Sequence, residues 1–149
     1  MRNLHVFSDN PSFVNGSANF IADVAAGAMA ERGRFIIALA GGGTPKPIYA
    51  RLATADYRNR IDWEKVHILF GDERCVPPED VRSNYRMVRE TWLDQSPIPP
   101  ENIHRIHGED DPAREALRYE HDIAGQYATI LRGGGSICYQ DRGSRSLCG

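Results

Sequence analysis

Uncharged apolar runs alternate with helically spaced apolar residues along much of this chain. Phe35-Ile36-Ile37-Ala38-Leu39-Ala40 carries no charge and breaks into Gly41-Gly42-Gly43, which predicts a buried strand ending in a tight loop. Thr44-Pro45 then opens a segment in which Ile48, Tyr49, Leu52 and Ala53 recur at helical spacing. A second strong strand is predicted at Val66-His67-Ile68-Leu69-Phe70, after a polar connector over residues 57–62. Two such strands separated by a helix-length segment form a βαβ unit, so the working architecture is α/β, with a parallel sheet and helices on both faces.

The flanking segments fill in the rest. Residues 4–7 (Leu-His-Val-Phe) predict a short strand, with His5 a sheet residue rather than a ligand. Asn10-Pro11 predicts a helix start, Gly33 its end, and Phe13, Phe20, Ile21, Val24 and Ala28 its apolar face. Ser83 is an N-cap for a helix that puts Val88 and Trp92 on one face. The proline-rich stretch 96–100 is a stiff loop leading to a short extended piece over 102–106. Asp111-Pro112 begins another helix, with Ala113, Ala116, Leu117, Ile123, Ala124 and Tyr127 as its apolar positions and His121 on the polar side. From Gly133 onward the pattern dissolves into glycine, serine and arginine, which predicts a loose tail, with residues 136–140 forming at most a weak edge strand.

Composition narrows the classes. The 149 residues suit one domain, since a chain of this size buries about 70% of its unfolded surface. With 41% hydrophobic and 26% charged residues, wholesale disorder is excluded. A net charge of −2 leaves no basic footprint, so nucleic acid is not the expected partner and an anion would need a local site. No run is long enough to span a membrane, and Met1-Arg2-Asn3-Leu4 lacks a signal-peptide core, so a cytoplasmic protein without membrane contact is expected. Cys75, Cys138 and Cys148 form no CxxC pair and are expected to be free thiols, Cys75 a bystander. His104 and His107 stand three apart, but no further spacing completes a metal site, and none is expected.

Two stretches carry candidate chemistry. Glycines let the backbone approach an anion, and the positive end of the following helix faces it, with Thr44 as N-cap or ligand hydroxyl and Pro45 at the first helical position. The loop matches neither the Walker A nor the dinucleotide glycine spacing, because Lys46 stands where the latter needs a glycine. By itself it fits an anion cradle or a ligand-free β-to-α turn. Gly71-Asp72-Glu73-Arg74 follows the second strand, at the sheet end where α/β folds bind ligands. There an arginine can fork onto phosphate while the acids position hydroxyls or water; the alternative is a solvated turn.

Gly41-Gly42-Gly43-Thr44-Pro45, Ile61-Asp62-Trp63, Gly71-Asp72-Glu73-Arg74 with Val76-Pro77, Ser83-Asn84-Tyr85, and Ile98-Pro99 through Asn102-Ile103-His104 together resemble the 6-phosphogluconolactonase family, within the glucosamine-6-phosphate isomerase/deaminase group. The resemblance covers residues 1–127; residues 128–149 diverge. It implies a Rossmann-like, doubly wound fold, here incomplete, and hydrolysis of 6-phosphogluconolactone in the oxidative pentose phosphate pathway without metal or organic cofactor. It implies that Gly42, Gly43 and Thr44 hold the sugar phosphate, with Arg74 an anion clamp and Asp72 an orienting hydrogen-bond partner. The family's general base is a histidine in an Asp-Gly-His segment after the next strand, and this sequence has no such segment. Truncation or a frame change near Tyr127, little or no lactonase activity, and self-association through uncovered faces are therefore expected. The alternatives are an amino-sugar phosphate isomerase/deaminase and a non-catalytic sugar-phosphate binder.

Overall fold

A computed structural model describes residues 4–131. Its centre is a parallel sheet of β1 (Phe35–Leu39), β2 (Val66–Phe70) and β3 (Ile103–His104), in the order β1-β2-β3. β1 and β2 pair along their whole length, from Phe35 opposite Val66 to Leu39 opposite Phe70. β3 adds only two paired positions, Ile68 with Ile103 and Leu69 with His104. The strands form where expected because their apolar, largely β-branched and aromatic residues suit a sheet packed mainly on one face: Phe35, Leu39, Val66, Ile68 and Phe70 are buried, whereas Ile36, His67 and Leu69 are half-buried and Ala38 is exposed. The helices around the sheet are α1 (Asn10–Arg32), α2 (Lys46–Leu52), α3 (Ala55–Arg58), α4 (Asn84–Thr91) and α5 (Pro112–Leu131). α2 packs against both α1 and α4. The architecture is an incomplete Rossmann-like α/β domain.

α1 has the ends its sequence predicts and part of the predicted face: Ala28 is buried and Phe13 and Ile21 pack against the core. Asp9 caps it by accepting from the Ser12 N–H at 2.8 Å, and Gly33, at φ +74°, closes it with an N–H donated to Met29 O. The buried side is Ala18, Ala22, Ala25 and Ala28, whereas Phe20 is 59% exposed and Val24 is also exposed. Small side chains bring the helix axis close to its neighbours, so packing selects the alanine stripe over the bulkier residues. Residues 4–7 form no strand: Leu4 and Val6 are 86% and 82% exposed, and no strand lies beside them among the described residues. Phe7 folds onto α1 instead, where only a glycine at position 16 leaves room for its ring, and it meets Phe13 edge-on. His5 consequently lies beside Phe20 rather than in a sheet.

The connector over residues 57–62 contains the end of α3 and is less polar in effect than in composition. Tyr57 is buried, donates its hydroxyl to Asn19 Oδ1 at 3.0 Å, and has the guanidinium groups of Arg51 and Arg60 over its ring. Trp92, as predicted, shares the buried face with Val88; it stacks on Tyr49 and meets Trp63 edge-on. On α5, Ile123 is inward as expected, but Leu117 is exposed and the buried partners are Tyr119 and Glu115. The backbone of α5 runs to Leu131, past the predicted divergence at 128. The weak strand predicted over 136–140, the side chain of Tyr127, and Cys138 and Cys148 lie outside the described residues.

Two tyrosines close the ends of the strands. Tyr49 of α2 accepts from the Ala40 N–H at 3.1 Å and donates to Ala40 O at 2.9 Å. Tyr119 of α5 does the same for Phe70, at 2.8 and 3.0 Å. Each hydroxyl thus satisfies a backbone donor and acceptor where the ladder stops, in places where an unpaired group is costly. Burial pushes the Tyr49 phenol up from its ordinary range.

Candidate functional site

Because Leu39 lies opposite Phe70, the loops that follow β1 and β2 leave the same end of the sheet as neighbours. The Gly71 N–H donates to Leu39 O at 2.9 Å and fixes their common origin. The first loop is Gly41-Gly42-Gly43-Thr44, in which Gly42, Gly43 and Thr44 are exposed. Gly42 has φ +98°, a conformation that favours glycine. Thr44 does not cap α2. Pro45 is already helical and holds the flanking position, accepting the Tyr49 N–H at 3.0 Å, so the helix begins one residue later than the sequence suggests.

The second loop separates its three charges. Arg74 Nη1 donates to Asp72 Oδ2 at 2.7 Å, and both side chains are exposed. Glu73 turns the other way, into the start of α4. Its Oε1 accepts the N–H groups of Arg74 and Asn84, and its Oε2 accepts the Ser83 hydroxyl and the Tyr85 N–H, all between 2.7 and 3.0 Å. Glu73 therefore does not position ligand hydroxyls or water, as expected of the acids here; the positive end of α4 and its free N–H groups claim the carboxylate. Ser83 is the N-cap, as predicted, accepting from the Arg86 N–H. The Cys75 thiol is free and exposed beside Arg74.

Behind the second loop stands Gly108. A β-carbon there would lie 2.0 Å from Arg74 O and 2.8 Å from Val76 O, so the bare backbone of the 106–108 turn is what supports the Arg74 segment. That turn is held in its own right: the His107 N–H donates to Glu115, and Glu115 takes a bidentate grip from Arg118. Burial pushes the Glu115 carboxyl up, but Arg118 and the His107 N–H together outweigh it and hold it below its ordinary range. Arg105 holds Glu109 lower still, at about 2. Neither Gly108 nor Glu115 is marked by any motif in the sequence; only the fold shows what they support.

The same region contains a cleft of about 280 Å³ lined by Tyr85, Ile103, His104, Arg105, His107 and Arg118, among others. None of the expected site residues lines it. Its arginines are already committed to Glu109 and Glu115, and His104 to Asp122 at 3.3 Å. His107, Asp110 and Glu115 offer three ligand atoms within 4.8 Å, but both oxygens of Glu115 face Arg118, a poor setting for a cation.

The structure thus brings the loop of Gly42, Gly43 and Thr44 and the loop of Asp72 and Arg74 together at one end of the sheet. Both belong to the part of the chain covered by known proteins. A family model described as glucosamine-6-phosphate isomerases/6-phosphogluconolactonase matches residues 8–137. A 6-phosphogluconolactonase of Nostoc sp. is 38% identical over 123 residues, which are 82% of this chain and 50% of that one. A 6-phosphogluconolactonase of Synechocystis sp. is 48% identical over 98 residues, 65% of this chain and 39% of that one. Among solved structures, one described as devB protein superposes with a TM-score of 0.75 at 35% identity, covering 84% of this chain and 51% of its own. The 6-phosphogluconolactonase of Thermotoga maritima gives 0.74 at 26% identity, covering 82% and 53%. The chain spans about half the length of the curated relatives it matches. With the family model matching most of its residues, the chain belongs to the glucosamine-6-phosphate isomerase/6-phosphogluconolactonase family.

Proposed function

We propose that this chain carries the sugar-phosphate-binding part of a 6-phosphogluconolactonase, within residues 1–127, and that it binds 6-phosphogluconate without hydrolysing the lactone at a useful rate. The observation that carries this reading is the full-length parallel pairing of β1 with β2, which makes neighbours of the glycine loop and the Arg74 loop. Gly42, Gly43 and Thr44 offer backbone N–H groups and a hydroxyl to the phosphate. Arg74 swings from Asp72 onto the anion, and Asp72, once released, orients a sugar hydroxyl. Neither a metal nor an organic cofactor enters this reading. Attack of water on the lactone carbonyl needs a base, whose loss costs about 10²–10⁴-fold, and the expected Asp-Gly-His segment is missing from the sequence.

Calorimetric titration with 6-phosphogluconate tests the binding. Arg74→Ala is expected to weaken it about tenfold or more, as loss of a charge-assisted pair does. Unchanged affinity in that variant removes Arg74 from the role, and lactone hydrolysis above the spontaneous rate contradicts the catalytic half of the reading. Turnover of glucosamine 6-phosphate in the same assay would point to the isomerase/deaminase branch instead. A cytoplasmic location fits this substrate, and no helix among the described residues is long and apolar enough to cross a membrane.

Self-association belongs to the same reading. The second edge of β1 carries no strand among the described residues, and Leu4, Val6, Phe20 and Val24 add exposed apolar surface. Sedimentation is expected to show mass rising with concentration; a monomer at every concentration would contradict it.

A further inference from the structure

Asn84 is the first residue of α4 and is 4% exposed, an unusual degree of burial for an amide. Its position is fixed from the backbone, because its N–H donates to Glu73 Oε1 at 2.7 Å, inside the carboxylate clamp that starts the helix. Its side chain then reaches both loops of the site. The Nδ2 group donates to Asp72 O at 3.0 Å, on the Arg74 side. The other end of the amide lies against Gly41, on the glycine side, where a β-carbon would come within 1.8 Å of Oδ1 and 2.3 Å of Cγ. Gly41 is therefore bare because Asn84 fills the space its side chain would take.

We infer that Asn84 is a positioning residue that holds the glycine loop and the Asp72–Arg74 loop at a fixed separation, so that one phosphate can be met by both. The inference rests on the reading of this site as a sugar-phosphate site and adds to it the group that sets its width. The other ties each hold one loop to its own surroundings, Tyr49 gripping Ala40 and the Glu73 clamp with Gly108 holding the Arg74 segment, whereas Asn84 reaches from one loop to the other. Gly42, Gly43 and Thr44 are exposed, and the Arg74 guanidinium pairs with its own neighbour Asp72. The amide cannot simply swing aside for a methyl group at position 41, because it is buried and hydrogen-bonded at its far end. A methyl group there must push the two loops apart, and removing the amide must let them close or drift.

The test is a double-mutant cycle on the full chain with Gly41→Ala, Asn84→Ala and the double variant, read both as affinity for 6-phosphogluconate and as thermal midpoint. Each single variant is expected to weaken binding about tenfold, and the double variant is expected to bind no worse than Asn84→Ala, because the methyl group then has room. Effects that multiply in affinity overturn the inference. Coupling in the midpoint with multiplied losses in affinity also overturns it, leaving Asn84 a packing residue only. Absence of binding heat in the parent chain, and hence in all four proteins, overturns the functional reading itself; the thermal cycle then still shows whether Asn84 and Gly41 meet.

Discussion

Glu73→Ala is expected to destabilise the chain by about 3 kcal/mol, because it strips a carboxylate from four donors at once and leaves the first N–H groups of α4 unpaired. The favourable charge at the start of the helix is lost in the same step. Denaturant unfolding followed by tryptophan fluorescence measures the effect. Glu73→Gln, which keeps an acceptor oxygen but not the charge, is expected to lose about half as much. A loss below about 1 kcal/mol for the alanine variant would show that water replaces the carboxylate without difficulty, and that the clamp is not what holds the second loop.

Trp92→Ala is expected to cost about 4 kcal/mol, the largest effect of any single truncation here. The ring is 1% exposed, lies between Tyr49 and Trp63, and belongs to the core joining α4 to α2 and the Trp63 turn. Its Nε1–H has no hydrogen-bond partner among the described residues. That sets against each other two contributions that ordinarily add in a buried tryptophan, packing and the indole hydrogen bond. Trp92→Phe gives up volume but also relieves an unpaired buried donor, so it is expected to stay within about 1 kcal/mol of the parent. Thermal or denaturant unfolding of both variants decides the matter: a phenylalanine variant as unstable as the alanine one would mean that the indole N–H is satisfied after all.

The contrast between residues that announced their roles and those that did not has a physical pattern. β1 and β2 were legible because short uncharged runs rich in β-branched and aromatic residues are a strand signal that solvent-facing segments seldom carry. The ends of α1 and the Ser83 cap were legible because capping is local chemistry. The packed face of α1 was legible only in part: Phe13, Ile21 and Ala28 pack inward as expected, but Ala18, Ala22 and Ala25 carry little hydrophobic signal and win over Phe20 and Val24 through close approach. Residues 4–7 alternate like a strand, but a strand exists only with a partner, which no local pattern can supply. In the site, the four residues from Gly71 to Arg74 read as one charged cluster. The fold divides them, with Asp72 and Arg74 facing outward and Glu73 spent on α4. Tyr119, Asn84 and Gly108 act across long stretches of chain, on Phe70, Gly41 and Arg74, so their roles exist only once the sheet has formed.

The pairing of β1 with β2 also has a kinetic side. Phe35 cannot meet Val66 until the intervening chain, α2 and α3 included, has folded back on itself, so this ladder closes through a nonlocal contact. Helical turns form far sooner. A chain caught with its helices made and its ladder open holds every residue of the site and no site at all. Ligand competence is thus acquired late in folding, and a bound sugar phosphate stabilises only molecules that have completed that closure.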